Sequence, residues 1–305
     1  MYPVKTVDSQ QAISHEQLGT KKKFWYEDDE GQLTLFKAEE RGYGEDWSEK
    51  IVCELAGPLG IPRVHYDMAQ DITTSVPVPG VICADFRKEG QQVVHGNTLL
   101  QVQDPDYPKN TLRVAAHTVD AVYSVLQDKA APDSHWTLGS PAGMTNGAEV
   151  FCGYLLLDAW VANQDRHHEN WAAVWDGNAP PRDQYRLAPS YDHGSSLARN
   201  VSDEEKARRL QTTDSGYSIA TFARRAKSKL FASAEDKQPL LALDAFLAFS
   251  RRVPEAATIW RDRLQRIDET TIAKAIAEVP PSRLSAVGRD FTLQLLLENR
   301  RRILE

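Results

Sequence analysis

The 305-residue chain is 41% hydrophobic and 26% charged, enough apolar material for one large core or two smaller ones and too much for a disordered polymer. With 36 Lys and Arg against 43 Asp and Glu, its formal net charge of −7 excludes indiscriminate attraction to nucleic acid or an anionic membrane, so any polyanion must be met by a local basic surface. No apolar run approaches the roughly 18 residues of a membrane helix, and the cysteines Cys53, Cys83 and Cys152 lack the spacing of a disulfide framework or a zinc site.

The segment MYPVKTVDSQQAISHEQ lacks the apolar centre of a signal peptide, and the expected compartment is the cytoplasm, with the thiols reduced and buried. The first expected elements are the strands Lys23 to Glu27 (KFWYE) and Leu33 to Ala38 (LTLFKA), which flank the turn-like DDEGQ as a hairpin does. Trp47, Ile51, Val52, Leu55 and Leu59 have the spacing of an amphipathic helix over Asp46 to Gly60, ended by Gly60 and Pro62. Further strands are expected at Arg63 to Met68 and Val81 to Phe86.

From about Thr118 the periodicity becomes helical, in TVDAVYSVL, EVFCGYLLLDAWVAN, LLALDAFLAFSRR, PEAATIWRDRLQRI and FTLQLLLENRRRIL. The expectation is an α+β chain of two lobes, a β-rich one over residues 1–115 and a mainly helical one over residues 116–305, with a ligand in the cleft between them.

Directly after the apolar EVFCGYLLLDAWVA comes NQDRHHEN, Asn163 to Asn170, and 22 residues beyond Asn170 stands Asp192 in APSYDHGSS. Between them AAVWD and QYRLAP read as a short hairpin that returns Asp192 to Asn170. A carboxylate and an amide oxygen brought together suit magnesium, a hard cation that keeps waters and phosphate oxygens as its other ligands. Asp165 is then left to accept or orient the proton of an attacking hydroxyl, the division of labour of phosphoryl transfer. The counter-charge is expected from Lys37 at the end of its strand, fixed by Glu49 on the following helix. Gly19 and Thr20, with Lys21 to Lys23 behind them, offer backbone amides to cover phosphates.

Taken together, DAWVANQDRHHEN, LAPSYDHGSS, LFKAEE and GEDWSEKIVCELAGPLGIP resemble, in residues and in order, the HipA-like kinase family, from about Gln17 to the carboxyl terminus. The resemblance implies a two-lobed, protein-kinase-like fold that uses ATP and Mg2+ to phosphorylate serine or threonine. It assigns Asp165 as the catalytic aspartate, Asn170 and Asp192 as metal ligands, Lys37 as the phosphate-holding lysine and Glu49 as its partner, with Ala84, Asp85 and Phe86 near the adenine. It also implies a protein substrate connected with translation and a DNA-binding antitoxin partner, with no direct nucleic-acid contact. HipA-like toxins carry an additional amino-terminal subdomain and a phosphate-loop serine that is autophosphorylated; this chain begins almost at the kinase core and has LGTKKK instead, leaving Thr20 or Ser14 as candidate regulatory acceptors.

Blander readings stand beside these. Asn163 and Asp165 can cap a helix end, Asp192 can make an Asx turn, and Lys37 with Glu49 can be a surface ion pair. Adjacent His167 and His168 diverge too far for a zinc pair. Buried Asp158 needs a partner and is expected to bond the 163–170 loop. Arg199 to Ser218 reads as a solvated loop or exposed helix in the place of an activation segment, and the basic run Ala223 to Phe231 as the wet face of a helix or, alternatively, a surface for an anionic partner such as tRNA or an RNA-bound protein. Rival functions are a small-molecule or lipid kinase or an adenylyl transferase on the same scaffold, and a non-catalytic nucleotide-binding regulator.

Overall fold

A computed structural model of the chain describes residues 1–15, 22–39, 41–137 and 139–305. Its first part builds β1 (Val4–Val7), β2 (Ser14–His15), β3 (Lys23–Glu27), β4 (Leu33–Ala38), α1 (Glu45–Leu59), β5 (Asp67–Asp71) and β6 (Val78–Ala84). The strands form one six-stranded sheet in the order β1-β5-β6-β4-β3-β2, parallel only where β1 meets β5. The expected hairpin is present with its expected bounds, β3 and β4 pairing antiparallel through Trp25 opposite Leu35.

Side chains alternate across the sheet. Phe24, Tyr26, Phe36 and Ile82 fill one face, while Leu35, Val81 and Cys83 pack on the other with Cys53 of α1. Lys37 shares the parity of Leu35 and stands opposite Val81, so it lies on the α1 side.

The next strand, β7 (Gln91–His95), belongs to a second, three-stranded sheet with β8 (Ala172–Asp176) and β9 (Tyr185–Leu187). The connection after Ala84 therefore passes between sheets well before residue 115, where the periodicity changes. Helices α2 (Gly96–Gln103), α3 (Val119–Leu126), α4 (Gly147–Val161), α5 (Asp203–Gln211), α6 (Ile219–Ala223), α7 (Ala242–Ser250), α8 (Pro254–Gln265), α9 (Glu269–Ala277) and α10 (Ala286–Leu304) make up the rest.

At the centre lies α4, apolar on every side and packed against α7, α8 and α10. A capping box between Asn146 and Glu149 starts it. Left-handed Ala162 (φ 55°) ends it and turns the chain into the 163–170 loop. Gly153 is required where Trp260 crosses, because a Cβ there would lie 2.5 Å from the indole. No helix of the described residues is long and apolar enough to cross a membrane.

Two local expectations change. The expected strand Arg63–Met68 lies mostly ahead of β5; Val64 and Tyr66 are buried beneath the sheet in backbone that precedes the ladder. Only Ala223 of the basic run is helical: Ser228 N–H donates to Leu240 O at 2.8 Å and Ala242 N–H to Ala226 O at 2.8 Å, holding the run as a bridge beside the start of α7.

Candidate active site

Lys37 projects under α1, where its ammonium pairs with Asp192 Oδ1 at 3.3 Å, donates to the Tyr66 hydroxyl at 3.3 Å and lies 5.1 Å from the Tyr66 ring centroid. Burial is the largest single influence and opposes the charge, but Asp192 and Glu49 together outweigh it and hold the pKa above the usual lysine value. Lys37 is therefore a fixed cation.

Glu49 does not pair with Lys37. Its buried carboxylate accepts the His193 backbone N–H at 2.7 Å and faces His193 Nδ1 at 3.2 Å. The expected contact ion pair is thus replaced: Asp192 occupies the ammonium, His193 occupies the carboxylate, and Glu49 reaches Lys37 only as a neighbouring charge. What Glu49 holds is the turn that carries Asp192, whose φ of 57° is left-handed and uncommon for a residue with a side chain.

The rest of α1's first turns is polar, buried and tied to other elements. Glu45 pairs with Arg199 at 2.5 Å, Asp46 with Arg283 at 2.8 Å, and the Ser48 hydroxyl donates to Ser196 O at 3.1 Å. Gly44 (φ 76°) admits the helix here, since a Cβ would overlap the Trp47 ring.

The 163–170 loop is closed on itself. Asn170 Nδ2 donates to Asp165 O at 2.7 Å, His167 N–H to the same carbonyl at 2.7 Å, and Asp165 N–H to Asn163 Oδ1 at 3.1 Å. Because a carbonyl can only accept, the Asn170 amide orientation is settled, and its oxygen is the atom left for a ligand. Beneath the loop, Arg166 Nε and Nη2 donate to the two oxygens of Asp158 at 2.8 Å each, and Asn163 Nδ2 to Asp158 Oδ1 at 2.8 Å. Nη1 reaches Asn170 O at 2.7 Å and Nη2 the Ser190 hydroxyl at 3.1 Å. Ser190 Oγ in turn lies 2.7 Å from His193 Nε2. One buried guanidinium therefore fastens the Asn170 loop to the Asp192 loop.

Lys37, Asn170 and Asp192 line one cleft of about 690 Å3, together with Tyr66, Tyr191 and the connection Ala84, Asp85 and Phe86. Asp85 and Phe86 lie beyond the end of β6; Asp85 pairs with Arg87 at 2.5 Å, and Phe86 stacks on Tyr191 with centroids 6.1 Å apart. The Asp192 carboxylate and the Asn170 amide oxygen form an oxygen-only donor pair, which fits Mg2+.

Asp165 does not line that cleft; it lines a separate recess of about 210 Å3 with Gln164, Ser195, Ser196 and Arg199, and its carboxylate, 39% exposed, lies 3.7 Å from Lys229 Nζ. Gly19, Thr20 and Lys21 fall outside the described residues; Ser14 pairs with Trp25 at the sheet edge.

No protein-family model matches the chain, and no curated protein matches it. Among solved structures it is similar to the Helicobacter pylori proinflammatory kinase CtkA, at 16% identity and a TM-score of 0.68 over 99% of this chain and 96% of that one. It is also similar to HipA of the Shewanella oneidensis MR-1 toxin–antitoxin system, solved with HipB and operator DNA, at 14% identity and a TM-score of 0.56 over 99% of this chain and 67% of that one. The fold is protein-kinase-like, shared with CtkA and with HipA.

Within this fold, three groups escaped sequence reasoning. Tyr66 and Tyr191 looked like strand and turn residues, and nothing local marks their cleft-facing hydroxyl and ring. His193 passed as a neighbour of Asp192, although its pairing with Glu49 and Ser190 joins α1 to the turn. Lys229, 64 positions from Asp165, carried only the signal of a basic run.

Proposed function

We propose that the protein is an ATP- and Mg2+-dependent phosphotransferase that moves the γ-phosphate to a serine or threonine hydroxyl of a protein acceptor. The observation that carries this reading is the convergence of one lysine, one carboxylate and one amide oxygen on a single cleft, with a second carboxylate, Asp165, on the same 163–170 loop as the amide and lining a recess of its own. A protein that only bound nucleotide would have no use for the second carboxylate.

In this reading Lys37, kept protonated by Asp192 and Glu49, presents positive charge to the α- and β-phosphates. Asp192 and Asn170 hold the magnesium, which when bound supplies Lewis-acid charge to the phosphate oxygens. Glu49 holds the Asp192 turn through His193. The connection at Ala84 to Phe86 receives the adenine.

Asp165 accepts the proton of the acceptor hydroxyl and turns its oxygen toward the γ-phosphorus. The new P–O bond forms as the bond to the β-phosphate oxygen breaks, and ADP leaves. Alignment and fixed charge supply most of the rate.

Likeness to a HipA solved with HipB and operator DNA also supports a small DNA-binding protein as partner, and the resemblance of the sequence motifs suggests a translation-related protein as acceptor. Co-purification with the product of the adjoining gene tests the first. For the activity, purified protein is incubated with γ-labelled ATP and lysate, with and without Mg2+. Metal-dependent labelling that Asp165→Asn abolishes is expected. ATP binding with no labelled product under any condition would overturn the assignment.

A further inference from the structure

The recess at Asp165 continues into a second cleft of about 250 Å3, and Gln164 lines both. This second cleft is lined by Arg113, Lys227 and Lys229 with Ser228, Phe231 and Gln238, and no carboxylate stands among its described lining residues. In a chain of net charge −7 that is a local inversion of sign. Two of the three cations are not neutralised from elsewhere: Arg113 donates to the Lys237 carbonyl at 3.3 Å and Lys227 to the Gln238 amide oxygen at 3.0 Å, and neither has an ion pair among the described residues. Lys229 bridges the two clefts, 3.7 Å from Asp165.

The backbone beneath them is fixed. His117 Nδ1 donates to Lys229 O at 3.1 Å, Phe231 N–H to His117 O at 3.0 Å, and Ser228 N–H to Leu240 O at 2.8 Å. Lys227 and Lys229 are therefore carried on a pinned segment, which lowers the ordering cost of meeting an anion.

We propose that this trough is the acceptor-docking site and that it selects an acidic peptide segment, one whose phosphorylated hydroxyl is flanked by Asp or Glu within about three residues, the reach of an extended chain across a cleft of this kind. The inference rests on the phosphotransferase reading, because Asp165 marks where the hydroxyl sits. A nucleic-acid strand fits less well. Its regularly spaced phosphates call for a longer basic stripe, and Phe231, the one aromatic residue in the lining, is only 3% exposed and offers no stacking surface for a base.

The test is equilibrium binding, by fluorescence anisotropy at low salt, of labelled serine peptides flanked by Glu, Gln or Lys, with and without ATP. For the unaltered protein the Glu peptide is expected to bind about tenfold more tightly than the Lys peptide, with the Gln peptide between, and the difference shrinks as salt rises. In the doubly reversed Arg113→Glu, Lys227→Glu protein the order inverts; in Arg113→Gln, Lys227→Gln it flattens. Equal binding of all three peptides, or an unchanged Glu-peptide affinity after reversal, overturns the proposal. So does tighter binding of a short RNA at these residues. Since turnover is not measured, selective binding by a protein that never transfers phosphate would count against the phosphotransferase reading and leave the docking site standing, while unselective binding by an active kinase would do the reverse.

Discussion

Removing the Asp158 carboxylate is the sharpest test of how the site is held. Asp158 and Arg166 are 5% and 1% exposed at the side chain, and the carboxylate accepts three hydrogen bonds, two from Arg166 and one from Asn163, each at 2.8 Å. In Asp158→Ala the guanidinium stays buried without its counter-charge, at a cost of about 3–5 kcal/mol, a large share of the roughly 5–15 kcal/mol that stabilises a folded protein. Urea denaturation followed by tryptophan fluorescence reads this directly. The double variant Asp158→Leu, Arg166→Met separates stability from function. It removes both charges and is expected to recover most of the stability, yet it loses the bonds from Arg166 to Asn170 O and Ser190 that join the two loops. Transfer is expected to fall on the order of 100-fold, as a misplacement near 1 Å does. A loss below about 1 kcal/mol in the single variant, or unaltered transfer in the double one, would refute the reasoning.

Asp165→Asn is expected to lower transfer by roughly 10²–10⁴-fold while leaving ATP affinity intact, and intact-mass analysis of the product separates an added phosphoryl group, about 80 Da, from an adenylyl group, about 329 Da. Glu49→Ala frees the His193 N–H and is expected to raise the KM for ATP several-fold through a loosened Asp192 turn; steady-state kinetics showing an unchanged KM and kcat would remove Glu49 from the site. Stability should also fall in acid. Burial pushes His117 down to about 3 and His168 down to about 4, against about 6.5 in an unfolded chain. Between these values the unfolded state binds more protons, so the stabilisation is complete above pH 6.5 and is lost as pH falls, at up to about 1.4 kcal/mol per pH unit for each histidine. Urea midpoints measured from pH 7 to pH 5 check this, and His117→Gln is expected to flatten the slope by its share.

What was legible was local. The β3–β4 hairpin was readable because two short runs, KFWYE and LTLFKA, bracket a turn-forming DDEGQ, and α4 because EVFCGYLLLDAWVAN is a long, mostly apolar run with a helical period. The loop after α4 stood out because so much polarity directly beyond a buried helix has few structural uses. Pairings across long sequence distances were not legible. β1 joins β5 some 60 residues away, and β7 joins β8 some 80 residues away, through short, mixed segments with no strong period of their own. The partner of Lys37 failed for a related reason: helix spacing places Glu49 near the strand, but the return of the Asp192 turn decides which carboxylate reaches the ammonium.

That exchange of partners bears on how the lobes work together. Because Glu49 binds the His193 backbone, and Glu45 and Ser48 bind Arg199 and Ser196 on the same following stretch, α1 is registered against the Asp192 loop as well as packed on its own sheet. Lys37 reaches that loop separately, through Asp192. A displacement of α1 by one turn, about 5.4 Å, would therefore release the Asp192 turn and the start of the 195–200 segment together. The Asp192 turn and the 195–200 segment that lines the Asp165 recess share α1 as their common support, so a ligand that fixes one is expected to order the other. Hydrogen exchange at residues 192–200 reads this: protection rising on ATP binding in the unaltered protein, but not in Glu49→Ala, is the expected result, and equal protection in both would break the link.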